Sequence, residues 1–242
     1  MGSTRTMNKS RKKNGYIDSI VLFWLRYPYW KKLLKLFIPV RWVSLCVNPK
    51  KSYKATDIII DIKLNFATIR ELSSKIETGE LSPISLVEDS INQIKKYNPR
   101  FNAFITILEK AALKEAETTE KRVKKGYYKG RLDGIPYSLK DIIYIKGVRC
   151  TAGSRILKNF FPKRNAECVS QLRKAGSIIL GTTNLNEFAS GITGINPHYG
   201  STINPWNKDH ISGGSSGGSC VSVSCGMVPF SLGTDTGGSI RV

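Results

Sequence analysis

Residues 212–219 read SGGSSGGS, and residues 233–239 read GTDTGGS. Glycine–serine runs usually form flexible linkers between domains. Here, however, the apolar stretches SIILG (177–181) and CVSVSCGMVPFSLG (220–233) flank the first motif, so it lies inside a core-like region. A phosphate-binding loop is also disfavoured, because neither GxxxxGK[ST] nor GxGxxG occurs here. The remaining interpretation is that these serines carry out chemistry.

Ser239 is a candidate nucleophile, because the glycines before it let backbone N–H groups face a common point beside its hydroxyl. A serine needs a base, and His198 and His210 both lie in Asn- and Pro-rich contexts that favour the surface. A lysine also activates serine when burial keeps it neutral. Lys140 follows the apolar run GIPYSL and precedes DIIYI, which favours burial. From the residues alone, a surface lysine at a strand end stays open.

The hydrophobic pattern predicts an α/β protein with a sheet covered on both faces. Helices are predicted over IRELSSKIETG (69–79), from Ser82-Pro83 to before Asn98-Pro99, in a charged segment ending near Lys125, and over 166–175. Strands are predicted at FNAFITIL (101–108), GIPYSL (134–139) and SIILG. The main domain is expected to span residues 58–242.

Residues 1–57 differ in composition from the rest, with 13 Lys or Arg against 2 Asp or Glu. Cations interrupt every apolar stretch here, which argues against a membrane-spanning helix. The aromatic and basic segment 16–47 is compatible with an anchor on a membrane surface. The alternative is an extension that does not fold with the main domain.

The cysteines and histidines give no sign of a metal site. Five scattered cysteines contain no CxxC pair, and only two histidines accompany them. We therefore expect reduced thiols, a cytoplasmic protein and no cofactor.

Five motifs occur in order along the chain: DGIPYSLKD (133–141), GTTNLNEFASG (181–191), GSTINPWN (200–207), SGGSSGGS and GTDTGGSIR (233–241). Together, over about residues 64–242, they resemble the amidase signature family of serine hydrolases. The resemblance implies an α/β fold with a mixed central sheet covered by helices, and a Ser-cis-Ser-Lys triad formed by Lys140, Ser215 and Ser239. In that triad the neutral lysine takes a proton, through the bridging serine, from the serine that attacks an amide carbonyl.

The resemblance also implies further site residues. The backbone N–H groups implied to hold the oxyanion are those of Thr236, Gly237, Gly238 and Ser239. The residues implied to support the site are Ser216, Asp235 and Arg241. The last two are expected to form a buried ion pair beneath the nucleophile.

By this resemblance the function is amidase activity on linear amides, in which a carboxamide C–N bond is cleaved through an acyl-serine intermediate. TNLNEFASG (183–191) is similar to a stretch in the amidase-type components of glutamyl-tRNA amidotransferases and in broad-specificity amidases of this family. The implied partners are thus a small-molecule amide and amidotransferase partner subunits. Direct nucleic-acid binding is not expected.

The chain ends three residues after Ser239, whereas family members continue well beyond the corresponding serine. The expectation is therefore the N-terminal half of the family's fold, truncated at the C-terminus. The alternative function is that of an inactive truncated or split fragment that acts through a partner or a membrane surface.

Overall fold

The computed structural model describes residues 66–242, so the predictions for 1–57, including membrane-surface contact through 16–47, lie outside the described residues. Within 66–242 no helix combines the length and the apolar character needed to cross a membrane. The elements follow in this order: α1 (Ile69–Glu77), α2 (Pro83–Phe101), β1 (Phe104–Ile107), α3 (Glu109–Val123), β2 (Pro136–Lys140), α4 (Glu167–Lys174), β3 (Ile178–Thr183), a 3₁₀ turn (Glu187–Ala189), α5 (Gly217–Ser224) and β4 (Phe230–Leu232).

The first two helices begin at side-chain caps that the sequence contains. Thr68 and Glu71 form a capping box at α1, in which each side chain accepts a hydrogen bond from the other residue's backbone N–H. At α2 the Ser82 hydroxyl accepts from the N–H groups of Ile84 and Ser85, and Pro83 occupies the first turn. The predicted helix start at Ser82-Pro83 is confirmed.

The predicted end of α2 is wrong, because the helix continues past Asn98-Pro99 to Phe101. Asn102 then ends the helix in the left-handed conformation, with φ 50°, and its N–H donates to the Asn98 carbonyl. The Asn98 side chain also accepts from the Phe104 N–H at 2.7 Å. These contacts stabilise a last turn that contains a proline.

The four strands form one mixed sheet in the order β1-β3-β2-β4, in which β1 runs antiparallel to β3 and the other pairs are parallel. The strand predicted at 134–139 is confirmed with a shift to Pro136–Lys140. Lys140 is therefore the last residue of β2 and lies opposite Thr183, the last residue of β3. Because parallel strands end at the same edge, the lysine reaches the edge from which the following loops start.

Apolar side chains cover both faces of the sheet, as predicted. Successive residues of a strand point to opposite faces. Ile178 and Leu180 of β3 pack in a cluster with residues of α2 and α3, whereas Ile179 packs with Tyr137 of β2 and Val169 of α4. The fold is thus the α/β arrangement with a mixed central sheet that the motifs implied.

Candidate active site

The two serine-containing motifs meet at the end of β2. Lys140 Nζ lies 2.7 Å from Ser215 Oγ, and Ser215 Oγ lies 3.0 Å from Ser239 Oγ. The Gly214–Ser215 peptide bond is cis. The Ser216 N–H donates to the Ser239 carbonyl at 2.9 Å, which joins the two motifs through the backbone as well. Three side chains separated by 75 and 24 positions in sequence therefore form one continuous chain of polar atoms.

Lys140 is fully buried, with 0% of its surface exposed. Burial disfavours the charged ammonium and lowers the pKa of Lys140 from 10.5 to about 8, while Cys220 and Asp235 nearby act weakly in the opposite direction. The carboxylate of the next residue, Asp141, instead accepts from the Thr151 N–H at 2.8 Å. Burial thus brings a substantial share of Lys140 into the neutral form near pH 8.

Two further hydroxyls surround the lysine amine. Lys140 Nζ lies 2.9 Å from Ser216 Oγ and 2.8 Å from Thr234 Oγ1. Ser216 Oγ also donates to the Thr234 carbonyl at 3.0 Å and accepts from the Thr234 N–H at 3.2 Å. The contact of Ser216 with Lys140 agrees with a supporting role. Sequence reasoning missed Thr234, although its hydroxyl stands in the same GTDTGGS motif as the nucleophile.

Helix α5 carries Ser216 at its N-terminus and lies very close to its neighbours. A Cβ at Gly218 would lie 2.5 Å from the backbone N and O atoms of Asn184, so only glycine fits there. Hydroxyl pairs join the helix to the sheet: Ser219 Oγ lies 2.7 Å from Thr183 Oγ1, and Ser222 Oγ lies 3.1 Å from Ser138 Oγ. These contacts fix the height of α5 above the strand that carries Lys140.

Asn186 supports the backbone immediately before Ser215, and sequence reasoning did not single it out. Its amide donates to the Ile195 carbonyl at 3.1 Å and accepts from the Gly194 N–H at 3.0 Å. A Cβ at Gly214 would lie 2.4 Å from Asn186 Oδ1. The glycine preceding the bridging serine therefore packs directly on this amide.

The turn over 235–241 differs from the expectation in two respects. Asp235 and Arg241 pair through two hydrogen bonds of 2.8 and 2.9 Å, but the Arg241 side chain is 64% exposed, so the expected buried ion pair lies at the surface. The pair holds the pKa of the Asp235 carboxyl well below its usual range, chiefly through the hydrogen bonds from Arg241. Gly238 N–H, one of the four implied oxyanion donors, is directed to Asp235 Oδ1 at 2.8 Å.

The other three implied oxyanion donors are the N–H groups of Thr236, Gly237 and Ser239. Within residues 66–242 no acceptor pairs with these three groups. Unpaired N–H groups next to a serine hydroxyl are the donors that a developing oxyanion requires. In this arrangement the N–H groups of Thr236, Gly237 and Ser239 can take that role, and Gly238 instead fixes the turn.

The histidines take no part in these contacts. His198 Nε2 lies 2.9 Å from Glu187 Oε1, and His210 is exposed. Among the described residues, no group of three or more His, Cys, Asp or Glu side chains is arranged to hold a metal ion.

Comparison with known proteins now identifies the family. The model of the family described as Amidase matches residues 85–242, more than half of the chain. The chain belongs to the amidase signature family. Among curated amidase-family relatives, the A-type component of the glutamyl-tRNA(Gln) amidotransferase of Agathobacter rectalis is 45% identical over 174 residues, which are 72% of this chain and 35% of the relative.

Solved structures of amidase-family proteins agree with this assignment. The peptide amidase of Stenotrophomonas maltophilia matches with a TM-score of 0.68 and 35% identity, over 72% of this chain and 37% of that one. A protein from a vestigial complex connected with the origins of an s-triazine catabolic enzyme matches with a TM-score of 0.69 and 38% identity, over 71% of this chain and 38% of that one. The chain thus spans little more than a third of the length of these relatives.

Proposed function

We propose that this amidase-family chain carries the acyl-transfer centre of an amidase, in which Ser239 attacks a carboxamide carbonyl and Lys140 serves as the base through Ser215. The observation that supports the proposal most strongly is the sequence of contacts from Lys140 Nζ through Ser215 Oγ to Ser239 Oγ, at 2.7 and 3.0 Å. Both distances lie within hydrogen-bond range, which proton transfer between the groups requires. The lowered pKa of Lys140 favours the neutral amine that such a base needs.

The hydrogen-bonding capacity around the lysine favours one direction of proton flow. Ser216 Oγ uses its only proton towards the Thr234 carbonyl, so it can only accept from Lys140. A neutral amine has two N–H donors and one lone pair. If the second N–H is donated to the Thr234 hydroxyl, the lone pair faces the Ser215 hydroxyl, which then donates to the lysine.

In the proposed reaction the Ser239 hydroxyl gives its proton to Ser215 Oγ, and the Ser215 proton passes to Lys140. The Ser239 oxygen bonds to the amide carbon, and the N–H groups of Thr236, Gly237 and Ser239 hold the resulting oxyanion. The C–N bond then breaks as the lysine returns a proton through Ser215 to the departing amine. Water subsequently hydrolyses the acyl-serine, which releases the acid and restores the hydroxyl.

The substrate class in this proposal is a linear carboxamide, in keeping with relatives named amidase and peptide amidase. Other relatives are named as subunits of a glutamyl-tRNA(Gln) amidotransferase, so the proposal includes partner subunits that supply or accept the reacting groups. Both statements extend from proteins roughly three times as long as this chain.

Treatment of the chain with a fluorophosphonate, followed by mass spectrometry of its peptides, tests the proposal. We expect one adduct on Ser239, none in Ser239→Ala, and normal labelling in the control Ser190→Ala, since Ser190 is exposed and lies outside these contacts. An adduct that persists in Ser239→Ala, or no adduct in the unchanged chain, would contradict the assignment of the nucleophile.

A further inference from the structure

A strongly basic loop connects β2 to α4, outside the residues of the candidate active site. Residues 142–166 contain no Asp or Glu, and their six cations are Lys146, Arg149, Arg155, Lys158, Lys163 and Arg164. The next acidic residue, Glu167, accepts a hydrogen bond from Gln171 within α4. The loop is therefore a continuous source of positive potential that no carboxylate within it offsets.

The loop has a defined shape because its two ends pair with each other. The N–H groups of Gly147 and Cys150 donate to the carbonyls of Pro162 and Phe160, each at 3.0 Å. The Ala166 N–H donates to the Tyr144 carbonyl at 2.8 Å. Ile145 is buried in the core cluster that includes β2, which attaches the paired ends to the sheet. The surface that these segments present is thus preformed.

An open groove of about 570 Å³ lies on this surface, and we call it the basic groove. Its lining includes Tyr144, Asn159, Phe160, Phe161, Lys163 and Arg164. The rings of Tyr144 and Phe160 lie 5.5 Å apart at an angle of 60°. Tyr144 is 41% exposed and Phe161 is 54% exposed. The groove therefore presents accessible aromatic rings directly beside two cations.

We propose that the basic groove binds single-stranded nucleic acid, with bases stacked on Tyr144 and Phe161 and phosphates held by Lys163 and Arg164. Single strands bind where a positively charged groove follows the backbone and aromatic side chains receive the bases. The concave shape favours a strand over a lipid surface, which is contacted by projecting apolar side chains or by an amphipathic helix. This inference differs from the expectation drawn from the family motifs, which lie outside the groove, and it does not depend on the proposed amidase chemistry.

Fluorescence anisotropy with a labelled oligouridine of about 12 nucleotides tests the proposal on the full chain. Lys163→Glu/Arg164→Glu is expected to weaken binding by about tenfold or more and to lower the slope of log affinity against log salt by about 1.4, the value for two lost phosphate contacts. Phe161→Ala is expected to weaken oligouridine binding by about fivefold or more but to leave binding of inorganic polyphosphate unchanged, because only the former has bases to stack. Phe161→Tyr should restore the affinity.

The matched control is Lys96→Glu/Arg100→Glu, which makes the same charge change at two exposed positions of α2. This helix packs in a different core cluster from the loop, and the control should change oligouridine affinity by less than about threefold. Equal losses in the control and in the groove variant would overturn the proposal, because binding would then depend on total charge alone. It would also be overturned if Phe161→Ala left oligouridine binding unchanged, or if the groove variants reduced binding only to anionic phosphatidylserine vesicles.

Discussion

The two ends of the proposed proton relay lie in different environments. Lys140 and Ser215 are fully buried at the end of β2, whereas Ser239 is partly exposed on a turn closed by the ion pair of Asp235 with Arg241. Both ends are held by several hydrogen bonds of ordinary length. Only at the buried end do these contacts come with a loss of hydration, which favours the neutral lysine.

This difference indicates which contacts are expected to control reactivity and which only shape the backbone. Polar contacts inside a protein are electrostatically stronger than those in water, and an unpaired group there is costly. An exposed ion pair is screened and contributes little. Changes at the buried end should therefore affect chemistry strongly, and changes at the exposed turn should have small effects on stability.

The largest effect is expected for Lys140→Met, which keeps a long side chain but removes the base. Proton transfer by a positioned base contributes about 10²- to 10⁴-fold, so the rate of phosphonylation at Ser239 should fall by that factor. Stopped-time labelling with mass spectrometry measures this rate. Lys174→Met, at an exposed position, is the control and should keep the rate. A rate within twofold of the unchanged chain in Lys140→Met would show that the buried end does not control reactivity.

A smaller loss is expected for Thr234→Val, which removes one hydroxyl from the lysine amine without changing the size of the side chain. One hydrogen bond of about 1 kcal/mol corresponds to roughly a fivefold lower labelling rate. The midpoint of the pH dependence should also move down, because the lost hydroxyl would have stabilised the ammonium form more than the neutral amine. The exposed Thr118→Val serves as the control. A midpoint that moves up would contradict this account of Thr234.

Gly218→Ala tests whether α5 positions the buried end through close backbone packing. The added methyl would meet the backbone of Asn184, and forced overpacking of this kind costs about 1–3 kcal/mol. We expect the Tm to fall by about 3–10 °C in differential scanning calorimetry. Gly237→Ala has no atom within 4 Å of its added Cβ and should leave the Tm within about 1 °C. Equal Tm values for the two variants would exclude tight packing at α5.

The smallest effect is expected at the exposed turn, with Arg241→Gln. Because the arginine side chain is 64% exposed, loss of the pair should lower the Tm by less than about 2 °C. The difference should shrink further in about 1 M salt, where exposed charges are screened. A loss as large as that of Gly218→Ala, and insensitive to salt, would mean that this pair is shielded from solvent and that the two ends do not differ.

The sequence predicted the elements whose signals are local. The cap at Ser82, the glycine at 176 after α4 and the apolar strands were all visible in it, and these elements are confirmed. The end of α2 was not, because Pro99 is tolerated only through contacts made by Asn98 and Asn102. A local pattern does not show such compensation.

The site shows the same division. Motifs brought Lys140, Ser215 and Ser239 into consideration because each residue type has a chemical role that a pattern carries. Thr234 and Asn186 were missed, because their contribution depends on which atoms their polar groups reach in the folded chain. The exposure of Arg241 and the direction of the Gly238 N–H are likewise properties of the folded turn.

The pH dependence of phosphonylation at Ser239 tests the central claim most directly, since it reports the protonation state of the buried base. If neutral Lys140 accepts the proton, the rate should be low at acidic pH, rise with the loss of one proton about a midpoint near pH 8, and level off above it. The same profile in Lys140→Met should lack this rise. A profile in the unchanged chain that is flat from pH 6 to about pH 10, or a rise near pH 8 that survives in Lys140→Met, would contradict the claim that this lysine activates Ser239.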